Sequence, residues 1–496
     1  MRSSSFASPL HLCGGLLGGV TLIACSLAAP AIAEAQQQIT LSQAIQMAQE
    51  QGLQARAARA SLESARHDRA SFNASLLPQL SLRGNLPRYN RSIIPVIQPD
   101  GSTQFRPLTQ TTTDVALTMS QQLPLTGGSL FISSSLERFT VTGQQNVKTW
   151  SSTPVEVGLR QDIFRPNVAR WNQRQQNVQI ELSERLYLES MEEIAIQTTQ
   201  SFFDVYSAQS GLNNAITNAA VNDTLFTLNK GRYEVGRIGE NDLLQSELAL
   251  LRSRASVQSA QLRYDRALAA LRLALNLPNS TPIQVVVSPE VPSVAADTTR
   301  AVAEALKNRA AVSDVELQDV TAKRRVVEAR LGQGVGATVQ ASFGLNNSAP
   351  EVGLAYEDLL QSRAFSLAIE MPLWQWGSRS QAVQAARSDQ DRVTSNAEAT
   401  MRQTAHEAHF AVLELEQAKT NLLITAKADT VAGKRFEVAY NRYVIGRITI
   451  DNLYIAQSEK DQALNDFVLA LRGYWVAYYS LRRATLFDFA TGQQIH

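Results

Sequence analysis

KGRYEVGRIGENDLL (230–244) returns in the second half of the chain as YNRYVIGRITIDNLY (440–454). At a constant shift of 210, Arg232, Tyr233, Gly236, Arg237, Ile238 and Leu243 fall on Arg442, Tyr443, Gly446, Arg447, Ile448 and Leu453. The same shift carries Ala260, Tyr264, Ala267, Leu271 and Arg272 onto Ala470, Tyr474, Ala477, Leu481 and Arg482. Upstream it carries Met191, Ala195, Phe202, Val205, Ala208 and Leu212 onto Met401, Ala405, Val412, Leu415, Ala418 and Leu422. No gap is needed from about 155 to 274, so chance likeness between two helical stretches is a poor explanation. An internal repeat, once found, governs the reading of everything around it. In both copies the glycine lies between two helical patterns, where a tight reversal favours a residue that accepts φ > 0 without steric cost.

Farther upstream the copies still correspond, but at a shift of 257, which sets Ala48 and Ala65 on Ala305 and Ala322. The two shifts differ by 47, so the first copy carries 47 extra residues between its first and second helix. The predicted units are a first repeat over 36–290, a second over 291–486 and a tail over 487–496.

Within each repeat the apolar residues follow a narrow 3,4-spaced stripe: Leu188, Met191, Ala195, Phe202 and Val205, then Met401, Ala405, Ala408, Val412 and Leu415. Gln, Glu, Ser and Arg flank it, which is the pattern of a coiled-coil seam. The helix predicted over 166–231 has no internal proline. At 1.5 Å per residue it reaches ~100 Å, too long to bury itself in a globule. Helices over 41–75 and 240–276 would span ~50 Å each, so two end to end match the long one. The second copy repeats this over 299–331, 378–441 and 450–486.

Between the first two helices of each copy the period changes from 3.6 to 2. Val155, Val157, Leu159, Gln161 and Ile163 alternate with Glu156, Gly158, Arg160 and Asp162. Phe365, Leu367, Ile369, Met371 and Leu373 alternate with Ser366, Ala368, Glu370 and Pro372. Strands of this length with one apolar and one polar face suit a transmembrane barrel with a wet interior. Periodicity alone fits a half-buried strand of a soluble sandwich equally well. An exported chain with no large soluble β domain elsewhere favours the barrel, and would turn Glu156, Arg160, Asp162 and Glu370 toward its lumen. Leu80 and Leu82, with Val335, Ala337, Val339 and Ala341, supply the other strands, so strand structure is expected over about 78–164 and 335–374. Polar loops rich in Gly, Asn and Pro are expected over about 86–112 and 344–363. The insertion contains two further alternating runs, Val115–Leu123 and Leu130–Leu136, around the turn Pro124-Leu125-Thr126-Gly127-Gly128, so a hairpin is predicted over 113–138.

Residues 1–35 explain the export. Arg2, an apolar run from Leu12 to Ala29, and small residues at Ala31-Ile32-Ala33 or Ala33-Glu34-Ala35 make a secretory signal peptide. Glycines interrupt the run and no basic stop follows, which disfavours a membrane anchor. A second processing route fits as well, because Leu22-Ile23-Ala24-Cys25 resembles a bacterial lipobox and would leave Cys25 lipidated. The apolar residues that follow Cys25 are unlike the usual polar tether.

Composition removes several other classes. With 46 Lys+Arg against 45 Asp+Glu in 496 residues, the chain is no polybasic nucleic-acid binder. A mean hydropathy of −0.15 excludes a bundle of membrane helices. Both cysteines, Cys13 and Cys25, lie in the leader, so no disulfide frame or thiolate site is expected in the mature chain. His406-Glu407-Ala408-His409 spaces its histidines i,i+3 instead of the i,i+4 of a zinc-binding HExxH helix. Gly332-Gln333-Gly334-Val335-Gly336 follows a helix and opens a strand, the reverse of a dinucleotide loop, and reads as a helix-to-barrel hinge. No nucleophile constellation is present, so neither an enzyme nor a cofactor is expected.

Each half therefore reads helix, strand, strand, long helix, tight turn, helix. With ITLSQAIQMAQEQG (39–52), LLPQLSL (76–82), LRQDIF (159–164), YEVGRIGENDLL (233–244) and RYVIGRITIDNLY (442–454), the order resembles the TolC family of outer-membrane efflux proteins across essentially the whole mature chain. The resemblance implies an α+β membrane protein, a homotrimer whose strands close one β-barrel in outer-membrane lipid, continuous with a long periplasmic α-helical barrel. It implies an exit duct for efflux or type I secretion, passing small molecules or proteins, that meets a periplasmic membrane-fusion adaptor and an inner-membrane pump. Docking and gating would fall at the tip turns, on Arg232, Tyr233, Gly236, Arg237, Ile238 and Asp242, and on Arg442, Tyr443, Gly446, Arg447, Ile448, Asp451 and Asn452.

Two features depart from the family pattern. The insertion adds strands to a half that usually has two. The tip positions where the best-known member carries two aspartates three residues apart hold Asn452 and Ile455, with Asp451 one residue earlier. The competing class is a periplasmic coiled-coil adaptor or scaffold without a channel. An adaptor would show one hairpin between compact β domains, whereas this chain has two hairpins and paired amphipathic strands.

Overall fold

A computed structural model describes residues 37–142, 146–288, 291, 292 and 294–495. The leader expected over 1–35, with its expected cleavage sites and Cys25, lies outside them. The first half runs β1 (Gln37–Ile39), α1 (Leu41–Gln51), α2 (Leu53–Ser75), β2 (Gln79–Ile97), β3 (Thr103–Gln122), β4 (Ser129–Thr142), β5 (Val147–Ile163), α3 (Val168–Glu234) and α4 (Glu240–Ala274). The second runs β6 (Ile283–Val285), α5 (Thr298–Asn308), α6 (Ala310–Gly332), β7 (Gly336–Ala349), β8 (Leu360–Glu370), α7 (Ser378–Val444) and α8 (Ile450–Thr485), with β9 (Phe487–Asp488) and β10 (Gln493–Gln494) closing the chain.

The long helices α3 and α7 have 67 residues each. Both pass ~100 Å down the molecule. Above the middle the helices pack as a row α2–α3–α6–α7, and below it as a row α4–α3–α8–α7. The core sits between these levels. Phe202, Phe203 and Val205 of α3 meet Val412 and Leu415 of α7, Leu271 of α4 and Leu471, Tyr474 and Leu481 of α8. Helices α1 and α5 and the parallel pair β1–β6 cover this layer. No described helix is long and apolar enough to cross a membrane.

The single helices expected over 41–75 and 299–331 are each two helices. The joints are Gly52 (φ −59°, ψ 147°) and Arg309 (φ −64°, ψ 144°), residues that correspond at the shift of 257. Extended ψ at one residue interrupts the i→i−4 ladder, while Gly52 N–H still donates to Ala48 and Arg309 N–H to Ala305, both at 3.0 Å. The Glu189 carboxylate takes hydrogen bonds from Arg309 Nε and from the Ala310 N–H, each 2.8 Å, and so caps the first turn of α6.

All six long strands form one antiparallel sheet in the order β2-β3-β4-β5-β7-β8. The inserted hairpin is β-structure as read from its alternation, and it lies within this sheet beside the others. The loop expected over 86–112 is largely strand, whereas the one expected over 344–363 is strand at its two ends and a loop over 350–359. Tyr89 to Ile97 pairs with Thr103 to Thr111, and β7 runs to Ala349 before a ten-residue loop with one helical turn at Leu354–Tyr356 returns into β8. Pro87, Pro95 and Pro107 disguised the first of these. Edge strands tolerate proline because one row of N–H groups has no ladder partner to lose. Pro87 sits at a register shift between Asn85 and Arg88, and Pro107 lies above the end of β4, where β3 is itself an edge.

Candidate channel wall and helix tips

Alternation sorts the sheet into two faces. Directly paired residues point the same way, so register decides which residues join. Leu82 pairs with Leu117, Leu80 with Met119, Met119 with Ile132, Ile132 with Val157, Val157 with Phe343, and Ala341 with Phe365. One unbroken apolar band therefore crosses all six strands. It is open to solvent in the isolated chain, with Leu82 at 69% and Phe365 at 73% exposure.

The other face is polar. Glu156 pairs with Gly344, Arg160 with Gln340, Asp162 with Thr338 and Glu370 with Gly336, which puts all four predicted lumen residues on the face opposite the band. Ser133 Oγ donates to Glu156 Oε2 at 3.3 Å, and Thr338 Oγ1 donates to Asp162 Oδ1 at 2.8 Å. Glu370 is tied down. Arg165, at the junction of β5 and α3, pairs with it at 2.7 Å and also donates to the Gly332 carbonyl. That guanidinium lies where a Cβ on Gly336 would stand, so Gly336 sits in a close-packed corner between α6 and β7.

Aromatic side chains mark both ends of the band. Trp374 and Trp376, with ring centres 5.3 Å apart, follow β8, and Phe164 follows β5. At the far end Trp150 lies under both Arg138 and Lys148, each 5.6 Å from its ring centre. Girdles of this kind frame the apolar band of membrane barrels.

At the opposite pole the repeated turns have one geometry. Gly236 (φ 69°) and Gly446 (φ 72°) are left-handed. Gly236 N–H donates to Tyr233 at 2.9 Å and Arg237 N–H to Arg232 at 2.8 Å; Gly446 N–H donates to Tyr443 and Arg447 N–H to Arg442, both at 2.9 Å. This pair of bonds, with glycine one residue past the cap, satisfies the last carbonyls of each long helix. Glu240, Asp242 and Asp451 occupy the first turns of α4 and α8, where the helix dipole favours negative charge.

The two tips differ in what their side chains do. Arg232 Nη2 donates to the Val444 carbonyl at 2.8 Å, and its guanidinium lies 5.4 Å from the ring centre of Tyr443. Tyr443 is buried and its Oη donates to Asn229 Oδ1 at 2.8 Å; burial pushes its phenol above the ordinary range. Its counterpart Tyr233 is 42% exposed, and Arg237, Arg442 and Arg447 are exposed as well. The symmetric tip expected from the repeat is thus asymmetric, with one arginine spent on holding the two hairpins together. Ile448 packs beneath Tyr443 with Leu225, Ile450 and Leu453, and Ile238 is half-buried. Asn452 turns back to Thr449 Oγ1 at 3.0 Å. Between the tips Arg232, Arg237, Asp242, Tyr443, Ile448 and Asp451 line a groove of about 600 Å³.

Sequence reasoning missed the residues between the tips and the middle. Asn218, Asn222, Leu225 and Asn229 form a buried 3,4-spaced stripe on α3. Asn218 Nδ2 donates to Asp461 at 2.7 Å, and Gln245 Nε2 donates to Asp451 at 2.7 Å. The signal was present as asparagine in seam positions, a device that fixes register at a cost in stability.

No family model and no curated protein sequence matches the chain. Solved structures do share its fold. A membrane protein from Pseudomonas aeruginosa has a TM-score of 0.66 at 15% identity, over 90% of each chain. The Campylobacter jejuni CmeC outer membrane channel gives 0.65 at 16% identity, over 92% of this chain and 86% of its own. The open state of the Neisseria gonorrhoeae MtrE outer membrane channel gives 0.62 at 14%, over 92% and 90%. The fold is that of TolC-like outer-membrane channels.

Proposed function

We propose that this chain is the outer-membrane exit duct of a tripartite efflux or type I secretion system, acting as a homotrimer with no catalytic chemistry of its own. One observation carries the reading: an apolar band continuous across six strands, backed by a polar face and joined to helices of ~100 Å. A sheet with unpaired edges cannot face lipid, because each bare backbone group there costs several kcal/mol, so other copies must close it. The helical rows then stand in the periplasm, with the Gly236 and Gly446 turns as the docking and gating end toward an adaptor and pump. A coiled-coil scaffold gives no use for the band, and the fold comparisons do not favour it.

Fractionation and mass measurement test this together. The protein should need detergent for extraction from the outer membrane, run as three copies in detergent, and give ion conductance in planar bilayers. A water-soluble monomer without conductance would end the proposal.

A further inference from the structure

We propose that three chains close an eighteen-stranded barrel through a β8–β2 seam, so that the membrane pore is as wide as the helical tunnel beneath it. This rests on the trimeric reading above and specifies its membrane part.

Both ends of the sheet are bare. β2 and β8 are the outermost strands of the six, and nearly every residue of β2 from Gln79 to Asn85 and of β8 is exposed. Strand direction alternates across the whole sheet, so β2 and β8 run oppositely, and apposing β8 of one copy to β2 of the next continues the antiparallel order. The apolar band reaches both edges, through Leu80 and Leu82 on β2 and Phe365, Leu367 and Ile369 on β8, so the seam joins band to band. Neither Gln79–Asn85 nor Leu360–Glu370 contains proline; in β2 the prolines start at Pro87. A long edge strand with an apolar face is a template for pairing unless it is covered, and here another copy of the chain covers it.

Width supports the count independently. Four helices per copy give a ring of twelve, which at 8–10 Å between axes is about 31–39 Å across. Eighteen strands about 4.8 Å apart and tilted about 40° close at about 36 Å, backbone to backbone. At the same tilt twelve strands would close at about 24 Å, narrower than the ring of helix axes. Six strands per chain therefore fit the sheet to its helices, and barrels of 16–18 strands leave an aqueous channel. The narrow point of the duct then lies among the helices.

Disulfide trapping tests the seam. The only natural cysteines are Cys13 and Cys25 in the leader, so engineered pairs have little background. Ser366→Cys on β8 is combined with Gln79→Cys, Ser81→Cys or Arg83→Cys on β2, all polar-face positions, to sample register. Membranes are oxidised and run on non-reducing gels, with native mass in detergent as the assembly control. At least one pair should give a covalent ladder ending at three chains, reversed by reductant. Ser366→Cys with Ser133→Cys or Ser135→Cys on β4 should give none. A trimer that links β8 to β4, or that links at no β2 position, overturns the eighteen-stranded seam and leaves the exit-duct reading standing. A monomer in detergent overturns both.

Discussion

The Arg232 guanidinium lies 5.4 Å from the centre of the Tyr443 ring and donates to the carbonyl of the next residue, Val444, at 2.8 Å. A cation at the C-terminal end of α7 is favoured by the helix dipole, and the aromatic face adds to it. This places a clasp between the two hairpins, although both residues belong to a repeated segment whose other copy makes no such contact within the chain.

Removing the Tyr443 hydroxyl, which ties α7 to α3 beside the clasp, should loosen one tip only. Tyr443→Phe removes the hydrogen bond to Asn229, whose Nδ2 already lacks a partner. The buried amide left behind costs about 1–3 kcal/mol. Amide exchange at Val444 to Arg447 should accelerate about tenfold, since each 1.4 kcal/mol is a factor of ten. Arg442→Ala, at the exposed counterpart of Arg232, should leave those amides unchanged, and equal protection in the Tyr443→Phe protein would mean that the Tyr443–Asn229 bond does not anchor this tip.

Arg237 and Arg447 project from the cap positions into solvent. Replacing both with glutamate should weaken adaptor capture or alter single-channel conductance, while native mass still reports the assembled oligomer. Unchanged capture and conductance would reduce the two arginines to solvated helix ends.

Glu192 is 2% exposed beside Arg482, with Tyr479 and Asp488 around it. Burial raises its carboxyl above the ordinary value of 4.5, outweighing Arg482, which lowers it. An acid that holds its proton more tightly when folded contributes stability below the unfolded value and loses it as pH rises through the folded one. Glu192→Gln removes that loss. Its melting temperature relative to the parent should therefore climb as pH rises from 4.5, and a constant difference across pH would contradict the assignment.

Gly158 on β5 is covered by the Phe131 ring from β4, its direct partner on the polar face. A side chain there would occupy the ring's position. Gly158→Val should cost about 1–3 kcal/mol through overpacking and lower the heat resistance of the protein. Adding Phe131→Ala should restore most of it. No rescue in the double variant would mean that the glycine serves backbone geometry instead.

The sequence showed what periodicity can show. The shift of 210 located both cap glycines because the same backbone conformation needs glycine twice, and the shift of 257 aligned Gly52 with Arg309. That these were breaks was hidden, since Arg309 carries no breaker signature and its ψ is held by Glu189 from another helix. The clasp was equally hidden, because Arg232 and Arg442 are alike in sequence and differ only in which hairpin stands beside them. Glu370 read as a lumen charge by alternation alone; its partner Arg165 comes from a corner that alternation does not describe.

Along the lower half of the molecule, the surface between the hairpins is stitched by amides and carboxylates: Asn218 to Asp461, Gln245 to Asp451, Tyr443 to Asn229. Parting such groups exchanges one hydrogen-bond partner for water, so the net loss is only about 0.5–3 kcal/mol per bond, the upper end for those that accept on a carboxylate. Parting the Phe202–Val412–Leu471 layer would expose apolar area at about 25 cal/mol per Å². Any rotation of one hairpin against the other would therefore pivot on the middle layer. From Phe202 to Gly236 the arm is ~50 Å long, so a rotation of about 10° carries the turn ~9 Å. Mechanical advantage is built into the length of the helix, and a slight rearrangement at the middle is a large one at the mouth.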